Sequence, residues 1–197
     1  MKPSIPPQAW ALILLLVGAN AYAHTQGGGA SGFITGFAHP VSGLDHIVAM
    51  VAVGLWGAQL GLPAIYLLPL TFPLMMAMGG MLALVGMPVP GVEIGIAISG
   101  LVLGLAVALR WRATLPVAMV WVAFFAIFHG HAHGAERPDG QDALAYSVGF
   151  VIATGLLHAA GIGLGLANGR RAGQLIVRAG GASIAAMCGY FLWQALT

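Results

Sequence analysis

Six apolar stretches, at residues 44–60, 64–85, 91–109, 114–128, 141–167 and 174–196, are separated by short polar or glycine- and proline-rich breaks. Each is close to the roughly 20 residues that an α-helix needs to cross the hydrocarbon of a bilayer. The pattern predicts an all-α fold, a polytopic membrane helix bundle of about six transmembrane helices. Ahead of it, Lys2, an apolar core over 9–18 and the run Ala21-Tyr22-Ala23 have the order of a cleavable signal peptide spanning 1–23. Residues 24–38 read as an N-terminal periplasmic linker, glycine-rich and flexible over 25–32, with a half-turn at 33–38. The bundle itself is expected to occupy 39–197. Pro69 and Pro73 each remove a backbone donor from the second stretch and predict a kink there. Glycines recur at four-residue spacing: Gly91 and Gly95, Gly100 and Gly104, then Gly161, Gly165 and Gly169. Small residues at that spacing let transmembrane helices approach closely. Met75, Met76, Met78 and Met81 read as unbranched core filler rather than soft metal ligands.

Composition supports the same solvent. The chain is 59% hydrophobic and 6% charged, with a mean hydropathy of +0.94. A soluble domain carries about 25% charged residues, so the lipid bilayer must cover this one. The formal net charge of +2 calls for no nucleic acid. A single cysteine, Cys188, excludes an internal disulfide framework and a cysteine-rich zinc site. No phosphate-cradling glycine loop with lysine is present, so ATP does not drive this chain by itself. The pattern leaves a homo-oligomer open.

Arginine placement sets an expected orientation. Arg110 and Arg112 fall between the third and fourth stretches, Arg170 and Arg171 between the fifth and sixth. Both breaks lie on one side, which the positive-inside rule makes cytoplasmic. The mature N-terminus is then periplasmic, as a secretory signal requires. Arg137 breaks the rule but has three acidic neighbours. On this topology two histidine clusters and Glu93 lie at the outer face of a bacterial inner membrane.

Those clusters carry the chemistry. The first is His39-Pro40-Val41-Ser42-Gly43-Leu44-Asp45-His46; the second is His129-Gly130-His131-Ala132-His133-Gly134-Ala135-Glu136. Titratable groups inside hydrocarbon are costly and mark ion or substrate paths. In a straight helix His39 and His46 share a stripe but lie about 10 Å apart along the axis. Pro40 and Gly43 allow a break that folds His39 back over the helix start. Asp45 either ligates or orients a histidine. In the second cluster a helix would put His129, His133 and Glu136 on one stripe; an extended strand would align His129, His131 and His133. Imidazole with carboxylate suits zinc, copper, iron, nickel and cobalt rather than calcium or magnesium. His24, as a new N-terminus, is a weaker candidate ligand, as is Glu93. His158, deep in the fifth stretch, is either a helix-to-helix hydrogen bond or a later station on the ion's route.

At these residues the chain resembles the HupE/UreJ family of bacterial nickel permeases. The first family pattern, a histidine, five residues, then Asp-His, is met by His39, Asp45 and His46. The second, Phe-His-Gly-x-x-His-Gly-x-Glu, is met from Phe128 to Glu136, with His131 at a variable position. The likeness extends over essentially the whole chain. It implies import of Ni2+, or alternatively Co2+, for hydrogenase or urease maturation, with His39, Asp45, His46, His129, His133 and Glu136 as transport residues; Zn2+ also fits the donor set. No permanently bound cofactor is expected: the metal is cargo. Facilitated or gradient-coupled entry is expected, so the chain is not an enzyme. Three rivals use similar residues. An intramembrane zinc hydrolase would need an open metal position and a carboxylate base. A haem carrier would need histidines on facing helices. A metal sensor or store would bind without transport. Because ligating histidines must be neutral, uptake is expected to fall as external pH drops toward about 6.

Overall fold

The computed structural model describes residues 28–136, 142–169 and 171–197. The proposed signal peptide, His24, Arg137 and Arg170 lie outside the described residues. Among the described residues the fold is all-helical. The elements are α1 (Gly28–Ala38), a 3-10 turn (His39–Val41), α2 (Leu44–Leu60), α3 (Ala64–Leu84), α4 (Val92–Ala108), α5 (Leu115–Ala135), α6 (Ala143–Leu166), a second 3-10 turn (Ala167–Gly169) and α7 (Arg171–Leu196).

Helices α2 to α7 fall on the six apolar stretches. Four of them, α3, α5, α6 and α7, are by themselves long and apolar enough to cross a membrane. A fifth span arises if the segment 32–41 and α2, bent by 77° at a short break, are taken together. Helix α4 has 17 residues and falls just short of that length. The expected count of six thus becomes six apolar helices, four or five of which are candidate spans.

Two boundaries differ from expectation. The linker and half-turn expected over 25–38 give way to a helix, α1, from Gly28 to Ala38. Glycine lowers helix propensity by about 1 kcal/mol, but tertiary contact offsets it here. Gly36 lets α1 rest directly on the backbone of Tyr146, and Gly149 lets α6 rest on that of Phe33. The fourth helix was expected to stop at 128 and instead runs to Ala135. Helix α3 continues through Pro69 and Pro73.

The centre of the bundle is α2. It packs against α3, α4 and α6 and buries Met50, Val53, Leu55 and Trp56. Helix α3 pairs with α5, α4 with α7, and α1 with α6. The crossings are made by glycine. A side chain on Gly54 would meet the His158 carbonyl, one on Gly130 the Met76 carbonyl, and one on Gly104 the backbone of Ala185 and Gly181. Without a Cβ, the backbones come close enough for dispersion to hold helices that the hydrophobic effect cannot drive together in lipid. Of the glycines read from the sequence as packing devices, Gly100, Gly104, Gly161 and Gly165 abut neighbouring helices, and Gly95 abuts the Phe128 ring. Gly91 and Gly169 do not: Gly91 has φ +67 before α4, and Gly169 has open space where a Cβ would be.

Candidate metal centre

The chain break between α1 and α2 builds one wall of the site. Pro40 at the second position of the 3-10 turn fixes φ and has no amide hydrogen to leave unpaired. The Ser42 backbone N–H and hydroxyl both donate to the His39 carbonyl, at 3.1 and 2.6 Å. Gly43 then has extended backbone and α2 begins. The 77° bend removes the conflict that a straight helix would have posed, because His39 and His46 no longer need to share one axis.

Helix α5 supplies the opposing wall. Its helical course past Phe128 chooses between the two geometries open in the sequence. At about 100° per residue, His129 and His133 share a face and His131 does not. His131 accordingly points away; its Nε2 lies 3.0 Å from the Met87 carbonyl, to which it donates. Of the predicted ligands, His131 is therefore not brought to the site.

Four imidazoles form a connected series. The His39 ring meets that of His133 with centroids 4.7 Å apart. His133 meets His46 at 4.4 Å, and His46 meets His129 at 4.9 Å. Glu136 Oε2 lies 3.4 Å from His39 Nε2. Ligand atoms of His39, His133 and Glu136 all fall within 4.8 Å of one another. His39, His46, His133 and Glu136, with Ser42, Gly43, Asp45, Glu93 and Ala132, line a cavity of about 180 Å3 at this end of the bundle. Tyr146 and Phe150 of α6 close its side; their ring centroids lie 5.9 Å from His39 and 4.6 Å from His133.

Hydrogen bonds fix which nitrogens are bare. Asp45 Oδ1 accepts from the His46 backbone N–H at 2.9 Å and lies 3.0 Å from His46 Nδ1. A carboxylate accepts only, so Nδ1 carries the proton and Nε2 is a free lone pair. Ser99 holds His129 in the same way. Its single hydroxyl proton goes to the Ile96 carbonyl at 2.6 Å. The Ser99 oxygen then accepts from His129 Nε2 at 2.7 Å, leaving Nδ1 bare. His46 Nε2, His129 Nδ1 and both nitrogens of His133 are buried without a protein hydrogen-bond partner. Each unpaired buried group costs about 1–3 kcal/mol, so a purely structural role for these rings would be expensive. Ser99 was not found from the sequence. Its only signal there is a hydroxyl in a helix otherwise apolar beyond Glu93, 30 positions from its partner.

His158 lies apart from this group, 2% exposed, and meets it through Phe72, whose ring centroid is 5.4 Å from both His129 and His158. Glu93 reaches the cavity rim from the first turn of α4.

Comparison with known proteins agrees with the two motifs. The model of the HupE / UreJ protein family matches residues 12–192. Protein HupE of Rhizobium leguminosarum bv. viciae is 44% identical over 174 residues, covering 88% of this chain and 91% of that protein. No solved structure matches the chain. With a family match over most of its length and a relative this similar, the chain belongs to the HupE/UreJ family.

Proposed function

We propose that this protein imports a divalent transition-metal ion, foremost Ni2+, across the bacterial inner membrane for hydrogenase or urease metallocentre assembly. The observation that carries the reading is the set of buried imidazole nitrogens without a protein partner, on rings in contact with one another beside Glu136 and Asp45. Such a donor set replaces water around a borderline cation and rejects calcium and magnesium. His39, His133 and Glu136 receive the ion at the mouth. His46, oriented by Asp45, passes it toward His129. Glu93, at the rim, adds negative charge to the approach.

Entry runs down the electrical gradient. An inside-negative potential is worth about 2.3 kcal/mol per charge per 100 mV, roughly twice that for a divalent ion. The site must then be moderate in affinity, because tight capture would stop the flow. The direct test is uptake of radiolabelled nickel and cobalt by cells lacking other importers. The intact chain should accumulate nickel above cobalt; His46→Ala and His129→Ala should reduce uptake at least about tenfold at equal protein level. Equal accumulation by the variants would overturn the reading. Hydrolysis of a membrane peptide without metal crossing would favour the zinc-hydrolase alternative.

A further inference from the structure

Tyr146, Phe150, Thr154 and His158 follow one another at four-residue spacing along α6, which places them on one stripe of the helix. The upper two flank His39 and His133. The lower two go deeper into the bundle. Thr154 is 0% and His158 2% exposed. Neither Thr154 Oγ1 nor His158 Nε2 has a hydrogen-bond partner. A histidine kept in a membrane for packing would use its ring to tie helices together, because an unpaired polar group in hydrocarbon is costly. His158 does not do so through Nε2. Its backbone is pinned instead, since Gly54 brings α2 against the His158 carbonyl. Its ring meets Phe72 edge to face, and Phe72 also contacts His129, the most buried ring of the outer group.

We propose that His158 Nε2, with the Thr154 hydroxyl one turn above it, is a second, inner binding station that takes the divalent cation from His129 past the Phe72 ring. The proposal deepens the import reading and rests on it. Its physical logic is that an ion held at one site leaves readily only if another site competes for it. Bare nitrogens on both sides of Phe72 provide that competition, and one aromatic side chain separates them.

The test uses the full chain reconstituted in liposomes that enclose a nickel-quenched dye, with NiCl2 outside. Calorimetry on the same protein in detergent reads binding at the outer cluster. His158→Leu keeps side-chain volume and removes the ligand; His158→Cys restores a ligand of another kind. For His158→Leu we expect outer affinity within about twofold of the intact chain and initial influx at least about tenfold slower, with His158→Cys recovering to within about threefold. His158→Gln, polar but a poor ligand, replaces the leucine variant if that one does not fold, with the same expected loss. Influx at the intact rate in the leucine or glutamine variant overturns the inner station and leaves the outer reading standing. Influx in His158→Cys as slow as in those variants also overturns it, since the loss would then be one of shape. Failure of the intact chain to admit nickel overturns both.

Discussion

Asp45 has the most constrained task of any single residue in the site. Its carboxylate holds both the backbone N–H and the ring Nδ1 of His46, so it sets the tautomer as well as the direction of the ring. Changing Asp45 to Asn keeps the shape but weakens the acceptor and offers an amide donor in its place. Loss of such an orienting partner typically costs 10–100-fold in metal affinity, so nickel binding by Asp45→Asn should weaken by about that factor. The partly exposed position of Asp45 should leave the thermal midpoint nearly unchanged, and calorimetry with a melting scan checks both. Ser99→Ala is expected to behave differently. It orphans a fully buried His129 Nε2–H, which costs about 1–3 kcal/mol, so stability and affinity should fall together. The sequence made Asp45 legible because it adjoins His46. Ser99 was hidden because its partner is reached only through the packing of α4 on α5. His131 misled for the opposite reason: histidine content is visible in a string of residues, but helical phase is not.

Among elements, the apolar stretches located α2 to α7 and most of their ends to within about three residues, the C-terminal end of α5 excepted, because hydrocarbon thickness and backbone hydrogen bonding leave a membrane chain few options. The break between α1 and α2 was also legible, from Pro40 and Gly43. The course of α1 was not, since three adjacent glycines, Gly27 to Gly29, argue for flexibility unless something packs on the helix. Helix crossings sort the glycines by a criterion the four-residue spacing missed. Gly130 and Gly79 sit at the contact of α5 with α3, where an added methyl would enter a backbone carbonyl. Gly155 has open space at the same position. Gly130→Ala should therefore destabilise the bundle by about 1–3 kcal/mol or more. It should also displace His129, its chain neighbour, and His133, about one turn further on. Gly155→Ala should be neutral or slightly stabilising, because helix propensity improves at no steric cost. Melting temperatures of the two variants in detergent decide this, and similar midpoints would mean that α3 and α5 are less closely engaged than the backbone contact implies.

The molecule as a whole is polarised along its axis. Among the described residues, the histidines other than His158 collect with Glu136 where α2 and α4 begin and α3 and α5 end. Among the described residues, the basic ones collect at the other pole. There Arg110 donates to Gln174, Arg112 to the Gln59 carbonyl and Arg178 to the Ala108 carbonyl, at 3.1, 2.9 and 2.9 Å. Arg178 joins the arginines singled out in the sequence as topology signals, although it lies inside an apolar stretch rather than in a break. The Arg112 and Arg178 contacts satisfy carbonyls at the ends of α2 and α4 and place positive charge near the negative ends of those helix dipoles. By the positive-inside rule the same charges oppose translocation of that pole, and we propose that it faces the cytoplasm. The direction of α7 then follows. It starts beside Arg110 and Arg178 and runs toward the histidine pole, so Thr197 should emerge on the periplasmic side. A C-terminal alkaline phosphatase fusion should be active and a C-terminal green fluorescent protein fusion dark. The reverse result would put the imidazole cavity on the cytoplasmic face, and a membrane potential that draws cations inward would then push nickel away from the cavity's mouth instead of into it.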